Sequence, residues 1–290
     1  MGLRYAWLLN LDAELELGRR GKSYARTQEM EARIQSLIPR LGALVGDGLV
    51  LAPGSRLGPE FEGRAWCPTP SALRAIAEAG AIVPPAPPLD VLITANHRRF
   101  SFELGATLEG SAWITAIEGL ERHWAEHPGI QRWLLKRPLG FAGRGRRKLR
   151  SGQLSSADRD YLVASFAQEE GLLLEPWIER TQDFGLHGLL AEDGALRLGR
   201  PTVQRTDHQG AWLESALAEA GALSPEVLSG LFQEAERAAE ALHRLGYFGP
   251  FNIDGYLGRN DQGAPIFQPR SEINARYSMG FAVGMAGLNP

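Results

Sequence analysis

Lys136 ends a short apolar run, Trp133-Leu-Leu-Lys136, and Gly140, Gly143 and Gly145 follow it with Arg144, Arg146, Arg147 and Lys148 interleaved. Glycines let backbone N–H groups approach a polyphosphate closely, and the cations neutralise it. This is not a P-loop, because no Gly-Lys-Ser/Thr follows, and it fails the dinucleotide fingerprint, because Lys148 stands at the third glycine position. Taken alone, a basic glycine-rich loop is more often a solvated turn. A second set of residues, Asp254, Glu272 and Asn274, falls on two runs, Phe251 to Leu257 and Pro265 to Asn274, joined by the turn Arg259-Asn-Asp-Gln-Gly263. Strand alternation aims such oxygens at one face, where they suit Mg²⁺ held between protein and phosphates. The competing reading is a surface ion-pair set with Arg270 and Arg276.

Other elements must hold these residues in place. Tyr5 to Leu11 reads as a buried strand, Gln28 to Val45 as a helix with Met30, Ile34, Leu37, Ile38 and Leu41 on one face, and Leu49 to Leu51 as the next strand. That is β-α-β logic and predicts an α/β unit. A helix is expected over Ser71 to Ala79 with Ser71 as its cap, and the prolines at 84, 85, 87 and 88 predict a domain boundary near residues 84 to 95. Beyond it, helices are expected over Asn96 to Leu108 and Ser111 to His127. Strands are expected over Leu172 to Glu175, cut by Pro176, and over Gly185 to Leu190. The clearest element runs from Ser224 as cap and Pro225 in the first turn, through an apolar stripe, to Gly246 as stop.

Composition bounds the function. The 290 residues carry 31 Lys+Arg against 34 Asp+Glu, a net charge of −3, which argues against a globally basic nucleic-acid binder. With 44% hydrophobic and 22% charged residues, an ordinary globular core is expected. The single cysteine, Cys67, forms no intramolecular disulfide and belongs to no zinc-spaced cluster, which fits a reducing interior. No run is long and apolar enough for a bilayer span, and Asp12, Glu14 and Glu16 interrupt the place where a signal peptide keeps its apolar stretch, so a cytoplasmic protein is expected. His187 and His243 read as structural histidines, and Trp66, Trp113, Trp124 and Trp133 as core.

Together the motifs resemble the ATP-grasp superfamily over about residues 96 to 280. Leu135-Lys136 with its glycine loop resembles the strand and flexible loop around the phosphates; Leu174-Glu175-Pro176-Trp177-Ile178 resembles the adenine hinge; Phe251-Asn-Ile-Asp254 followed by Glu272-Ile-Asn274-Ala-Arg276 resembles the metal hairpin. The resemblance implies an α/β (α+β) chain with a Rossmann-like preceding domain at residues 1–95 and a two-lobed ATP-grasp module at 96–290. It implies ATP with Mg²⁺, or Mn²⁺ in its place. Lys136, Gly140, Gly143, Gly145 and Arg98 would meet the phosphates, Glu175 and the backbone of Trp177 and Ile178 the adenine, and Asp183 or Glu179 the ribose. Asp254, Glu272 and Asn274 would ligate the metal. Arg276 would meet the transferred phosphoryl group, and Arg205 would add charge where many relatives carry an arginine and this chain has Asn252. The activity implied is an ADP-forming carboxylate-amine ligase acting on small-molecule or peptide substrates, as a monomer or homodimer, without membrane or nucleic acid. A small-molecule kinase and a nucleotide-binding protein without turnover are the rivals.

Overall fold

The first apolar run forms β1 (Arg4–Leu8), which pairs in parallel with β2 (Leu49–Val50) on one side and β3 (Phe61–Ala65) on the other. Parallel neighbours need crossovers, and the helix Gln28–Leu37 supplies the first, burying Met30 and Ile34. Where one helix was expected over 28–45, the chain tightens into a 3₁₀ turn at Ile38–Leu41 and ends in a short turn at Gly42–Val45. Pro39 has no N–H to continue the α-helical ladder. The structure is a computed structural model describing residues 4–105, 108–140, 145–206 and 212–288.

The next helix, Pro70–Glu78, is capped by Thr69 and not by Ser71: the Thr69 hydroxyl accepts the Ala72 N–H at 3.4 Å. Pro70 is suited to the first turn, so the cap falls one residue before it. Ser71 is used differently. Its N–H and hydroxyl donate to the Glu16 carboxylate at 3.2 and 2.6 Å, and the Thr69 hydroxyl donates to the same group at 2.8 Å. The proline-rich stretch then enters the helix Leu89–Asn96, whose Val91, Leu92 and Ala95 share one core with Trp7 and Leu231.

Two further sheets follow. β4 (Ala112–Ile114), β5 (Arg132–Lys136), β6 (Arg146–Arg150) and β7 (Leu172–Pro176) form an antiparallel sheet in the order β4-β7-β5-β6. The helices Ile117–Glu126 and Ser156–Phe166 supply Leu120 and Leu162 to its core around Trp133. The expected helix over 111–127 is thus split, because Ala112-Trp-Ile114 pairs with Leu172 to Leu174. The helix expected over 96–108 is Arg98–Glu103.

The largest sheet comprises β8 (Glu179–Leu190), β9 (Leu196–Leu198), β10 (Thr202–Thr206), β11 (Trp212–Leu217), β12 (Gly249–Arg259) and β13 (Pro265–Asn274), in the order β11-β10-β8-β12-β13 with β9 on β8. β8 starts earlier than expected, so only Trp177 and Ile178 join the second sheet to the third. The helix Pro225–Leu245 matches expectation: the Ser224 hydroxyl accepts the Val227 N–H, and Gly246 ends it at φ 89°. Its Leu231, Ala235, Ala238 and Leu242 pack in the core that contains Phe184, Phe251 and Ile253. Among the described residues no helix is long and apolar enough to cross a membrane.

Arg270, on β13, is buried rather than on the surface. It donates to Glu234 at 2.8 Å, to the Ser101 hydroxyl at 2.7 Å, to the Ser101 carbonyl and to the Gly105 carbonyl at 2.8 Å. One guanidinium therefore ties together the long helix, the Arg98–Glu103 helix and the hairpin. Arg270→Ala leaves those acceptors without their donor, and urea unfolding should show a loss on the order of 3 kcal/mol; a loss below about 1 kcal/mol would mean that water replaces it.

Candidate active site

The β12–β13 hairpin sets the centre of the site. In its antiparallel register Asp254 stands opposite Glu272, and Asn252 opposite Asn274, with a bulge between Asp254 and Tyr256. Asp254 Oδ1 accepts from the Gln204 and Asn252 amides, each at 2.9 Å, and Oδ2 from the Asn274 amide at 3.0 Å. Glu272 is treated differently. Its Oε1 lies 2.6 Å from Arg98, and its Oε2 3.9 Å from Arg146. Burial would lift the Glu272 carboxyl, but Arg98 and Arg146 outweigh it and hold it below the usual range. Asp254, bonded only to amides, is pushed up to about 6 by burial and by the neighbouring Glu272.

Lys136, at the end of β5, sits opposite Arg146 at the start of β6, so the glycine loop leaves and returns at two cations. Gly145 closes the loop at φ 78°, its carbonyl accepting the Arg137 N–H at 2.8 Å. The buried Lys136 ammonium pairs with Glu175 at 2.5 Å. Burial drives it down to about 8 against the pull of Glu175, helped by Arg146, Arg180 and Arg98. Arg98 begins its helix and donates to the Arg137 carbonyl at 2.5 Å as well as to Glu272, while its buried Nε–H meets no acceptor among the described residues.

The hairpin carboxylates, Lys136, Arg98 and Arg146 line a cleft of about 510 Å³. Seven cationic side chains line it, Arg33, Arg40, Arg98, Lys136, Arg146, Arg180 and Arg276, against the three carboxylates Asp183, Asp254 and Glu272, so the space suits a polyanion. Arg276 reaches it from just past β13, donating to Asn274 Oδ1 at 3.1 Å and ion-paired with the buried Glu14 of the first sheet's unit, over the Trp66 ring at 5.4 Å. Asp254 carries no ion-pair partner among the described residues. Two hard carboxylates and an amide oxygen on adjacent strands, one carboxylate uncompensated, fit the oxygen-donor chemistry that Mg²⁺ requires.

Solved structures share this architecture. D-cycloserine synthetase DcsG aligns over 97% of this chain and 97% of its own at 14% identity and a TM-score of 0.54. D-alanyl-alanine synthetase A from Vibrio cholerae aligns over 100% and 92% at 12% identity and a TM-score of 0.54. N5-carboxyaminoimidazole synthetase from Staphylococcus aureus, in complex with ADP, aligns over 95% and 71% at 8% identity and a TM-score of 0.53. The chain has the ATP-grasp fold. No protein-family profile and no curated protein matches the sequence.

Within the ATP-grasp fold the structure gathers most of the residues singled out in the sequence, and separates others. Lys136, Gly140, Arg98, Asp183, Asp254, Glu272, Asn274 and Arg276 all line the cleft. Arg205 does not: on β10 it is exposed and paired with Glu214 at 3.1 Å. The alternation of the strand turns its neighbour Gln204 to Asp254 instead. Glu179 is exposed, opposite Arg259 at the first position of β8, whereas Asp183 lines the cleft. Trp177 donates its N–H to the Arg132 carbonyl at 2.9 Å and lies under the Lys148 ammonium at 4.0 Å; Ile178 is buried with Leu108 and Tyr256. Gly143 lies outside the described residues. Gln204, Arg180 and Glu14 were not foreseen. Strand alternation would have found Gln204, had Thr202 to Thr206 read as a strand.

A pH consequence follows from Asp254. The folded protein holds this proton more tightly than the unfolded chain, whose carboxyl titrates near 3.8, so ionising it costs stability as pH rises through about 6. In metal-free thermal melts, the stability of Asp254→Asn relative to wild type should therefore increase between about pH 5 and pH 7, and saturating MgCl₂ should restore the wild type. A difference independent of pH would mean that Asp254 does not ionise in that range.

Proposed function

We propose that this chain is an ATP- and magnesium-dependent ligase that joins a carboxylate to an amine and releases ADP. The observation that carries the reading is the uncompensated Asp254 beside Glu272 and Asn274, facing Lys136, Arg98 and Arg146 across one cleft. The division into a preceding unit at residues 1–95 and a catalytic module at 96–290 is part of the same proposal.

Lys136, Arg98 and Arg146 hold the triphosphate, with Gly140 and Gly145 allowing the backbone to approach it, while Asp183 meets the ribose and Glu175 keeps Lys136 aimed. Asp254, Glu272 and Asn274 would hold the magnesium, which supplies charge neutralisation at the phosphates. Arg276, fixed by Glu14 and Asn274, offers its planar fork to the transferred phosphoryl group and the acyl phosphate it becomes. The amine then attacks the acyl carbon and phosphate leaves, with no enzyme nucleophile required. Arg33 and Arg40 bring further positive charge from the first unit to the same cleft, beside Trp66 and Trp212, so a carboxylate substrate with additional negative charge suits it.

Lys136→Ala removes a charge-assisted contact of about 1.5–3 kcal/mol, so calorimetric titration with MgATP should show affinity falling about 10- to 100-fold. Unchanged affinity would refute the assignment of Lys136. Arg276→Lys should instead lower turnover about 100-fold while ATP affinity holds, because the fork acts on charge that develops during transfer. The reaction type is read by supplying acidic carboxylates with hydroxylamine in place of the amine: hydroxamate formation with ADP release is expected, whereas a stable phosphorylated product would make the protein a kinase.

A further inference from the structure

The helix Ile117–Glu126, which packs Leu120 and Trp124 into the second sheet's core, ends in His123-Trp-Ala-Glu126 and is followed directly by His127. Side chains three and four residues apart meet on one helix face, which brings His123, Glu126 and His127 together. One ligand atom from each lies within 4.8 Å of the other two, the one such group among the described residues, and the two imidazole rings are 4.2 Å apart. None of the three lines the ATP cleft.

The hydrogen bonds of the rings decide which nitrogens are available. His123 Nε2 lies 2.7 Å from the Gly110 carbonyl, and His127 Nδ1 lies 3.0 Å from the His123 carbonyl. A carbonyl only accepts, so each of these nitrogens carries the proton in the neutral ring. The lone pairs are then on His123 Nδ1 and His127 Nε2. Metal-binding histidines are oriented in this way, with the second nitrogen donating to a backbone carbonyl that fixes the tautomer. Rotation of either ring is opposed further by Trp133, wholly buried, whose ring stands edge-on at 5.3 Å from His123 and 6.3 Å from His127. Glu126 adds an exposed carboxylate.

We propose that His123, Glu126 and His127 form a second metal site, separate from the magnesium position, for a divalent transition ion such as Zn²⁺, Ni²⁺ or Cu²⁺. Two neutral imidazoles and one carboxylate suit these ions and not Mg²⁺, which prefers an all-oxygen octahedron. Water would complete the coordination on the solvent side. Because His123 is also tied to Gly110, just before β4, the ion would hold the helix end and that segment as one piece.

The test uses the full chain in excess MgCl₂, so that the oxygen site is already saturated, titrated with ZnCl₂ in a calorimeter and with CuCl₂ by tryptophan fluorescence. One equivalent of Zn²⁺ should bind, and Cu²⁺ should quench emission through Trp133, a quench that Trp133→Phe reduces. His127→Ala should weaken Zn²⁺ binding by at least about tenfold, and Glu126→Gln, an exposed change that leaves the fold alone, by several-fold. Asp254→Asn should leave Zn²⁺ binding as in wild type, which keeps this site distinct from the ligase reading. No saturable Zn²⁺ binding, or binding that both His127→Ala and Glu126→Gln leave unchanged, would overturn the proposal.

Discussion

Two carboxylates face each other across β12 and β13, and their mutual repulsion organises what surrounds them. Glu272 receives fixed cations; Asp254 receives only amide N–H groups and so keeps its charge for something that arrives. The nearer of those cations comes from a helix that starts at Arg98, and that helix is held to the hairpin by the buried Arg270, two positions before Glu272. The same strand thus presents one carboxylate to the cleft and, through Arg270, anchors the helix whose arginine answers it. A site of this kind is costly when empty. Arg98 Nε, Arg146 Nε and Asn252 Oδ1 are buried beside the cleft without a hydrogen-bond partner, and Asp254 has no cation of its own, so an ion and a polyanion entering together would relieve both deficits.

The second and third sheets are joined at this point by a very short route. Trp177 and Ile178 alone separate β7 from β8, so Lys136 and Glu175 on one sheet and Asp183 on the next are fixed to neighbouring ends of a two-residue joint. The first sheet's unit enters through Glu14, whose carboxylate holds Arg276. Arg276 is thereby gripped from both sides, by Asn274 of its own hairpin and by a residue more than two hundred positions away.

How much of this could be read in the sequence depended on the range of the interaction. The helix Pro225–Leu245 was legible because its cap, first-turn proline, apolar stripe and terminal glycine are all local. The hairpin was legible for the same reason: Asp254 and Glu272 are 18 positions apart, which an 11-residue strand, a short turn and a 10-residue strand absorb. Ala112 to Ile114 was not, since three residues carry no usable period and their partner, Leu172 to Leu174, is 60 positions away. The polar Thr202 to Thr206 hid a strand, so Arg205 drew attention that belonged to Gln204. Glu14 had no signal at all, because an ion pair between distant segments leaves no local pattern.

The Glu16 carboxylate at the start of the helix Pro70–Glu78 occupies a position where other chains admit a foreign anion. In a parallel sheet the helix start beyond a strand end is the customary anchorage for a nucleotide's pyrophosphate. Here Thr69 and Ser71 already spend their donors on the chain's own anion. A nucleotide approaching that end would have to evict a resident carboxylate that is covalently attached and therefore never diluted. The first sheet's unit is in this sense self-liganded, and the vacancy that a helix start ordinarily offers to a foreign anion is filled by the chain itself.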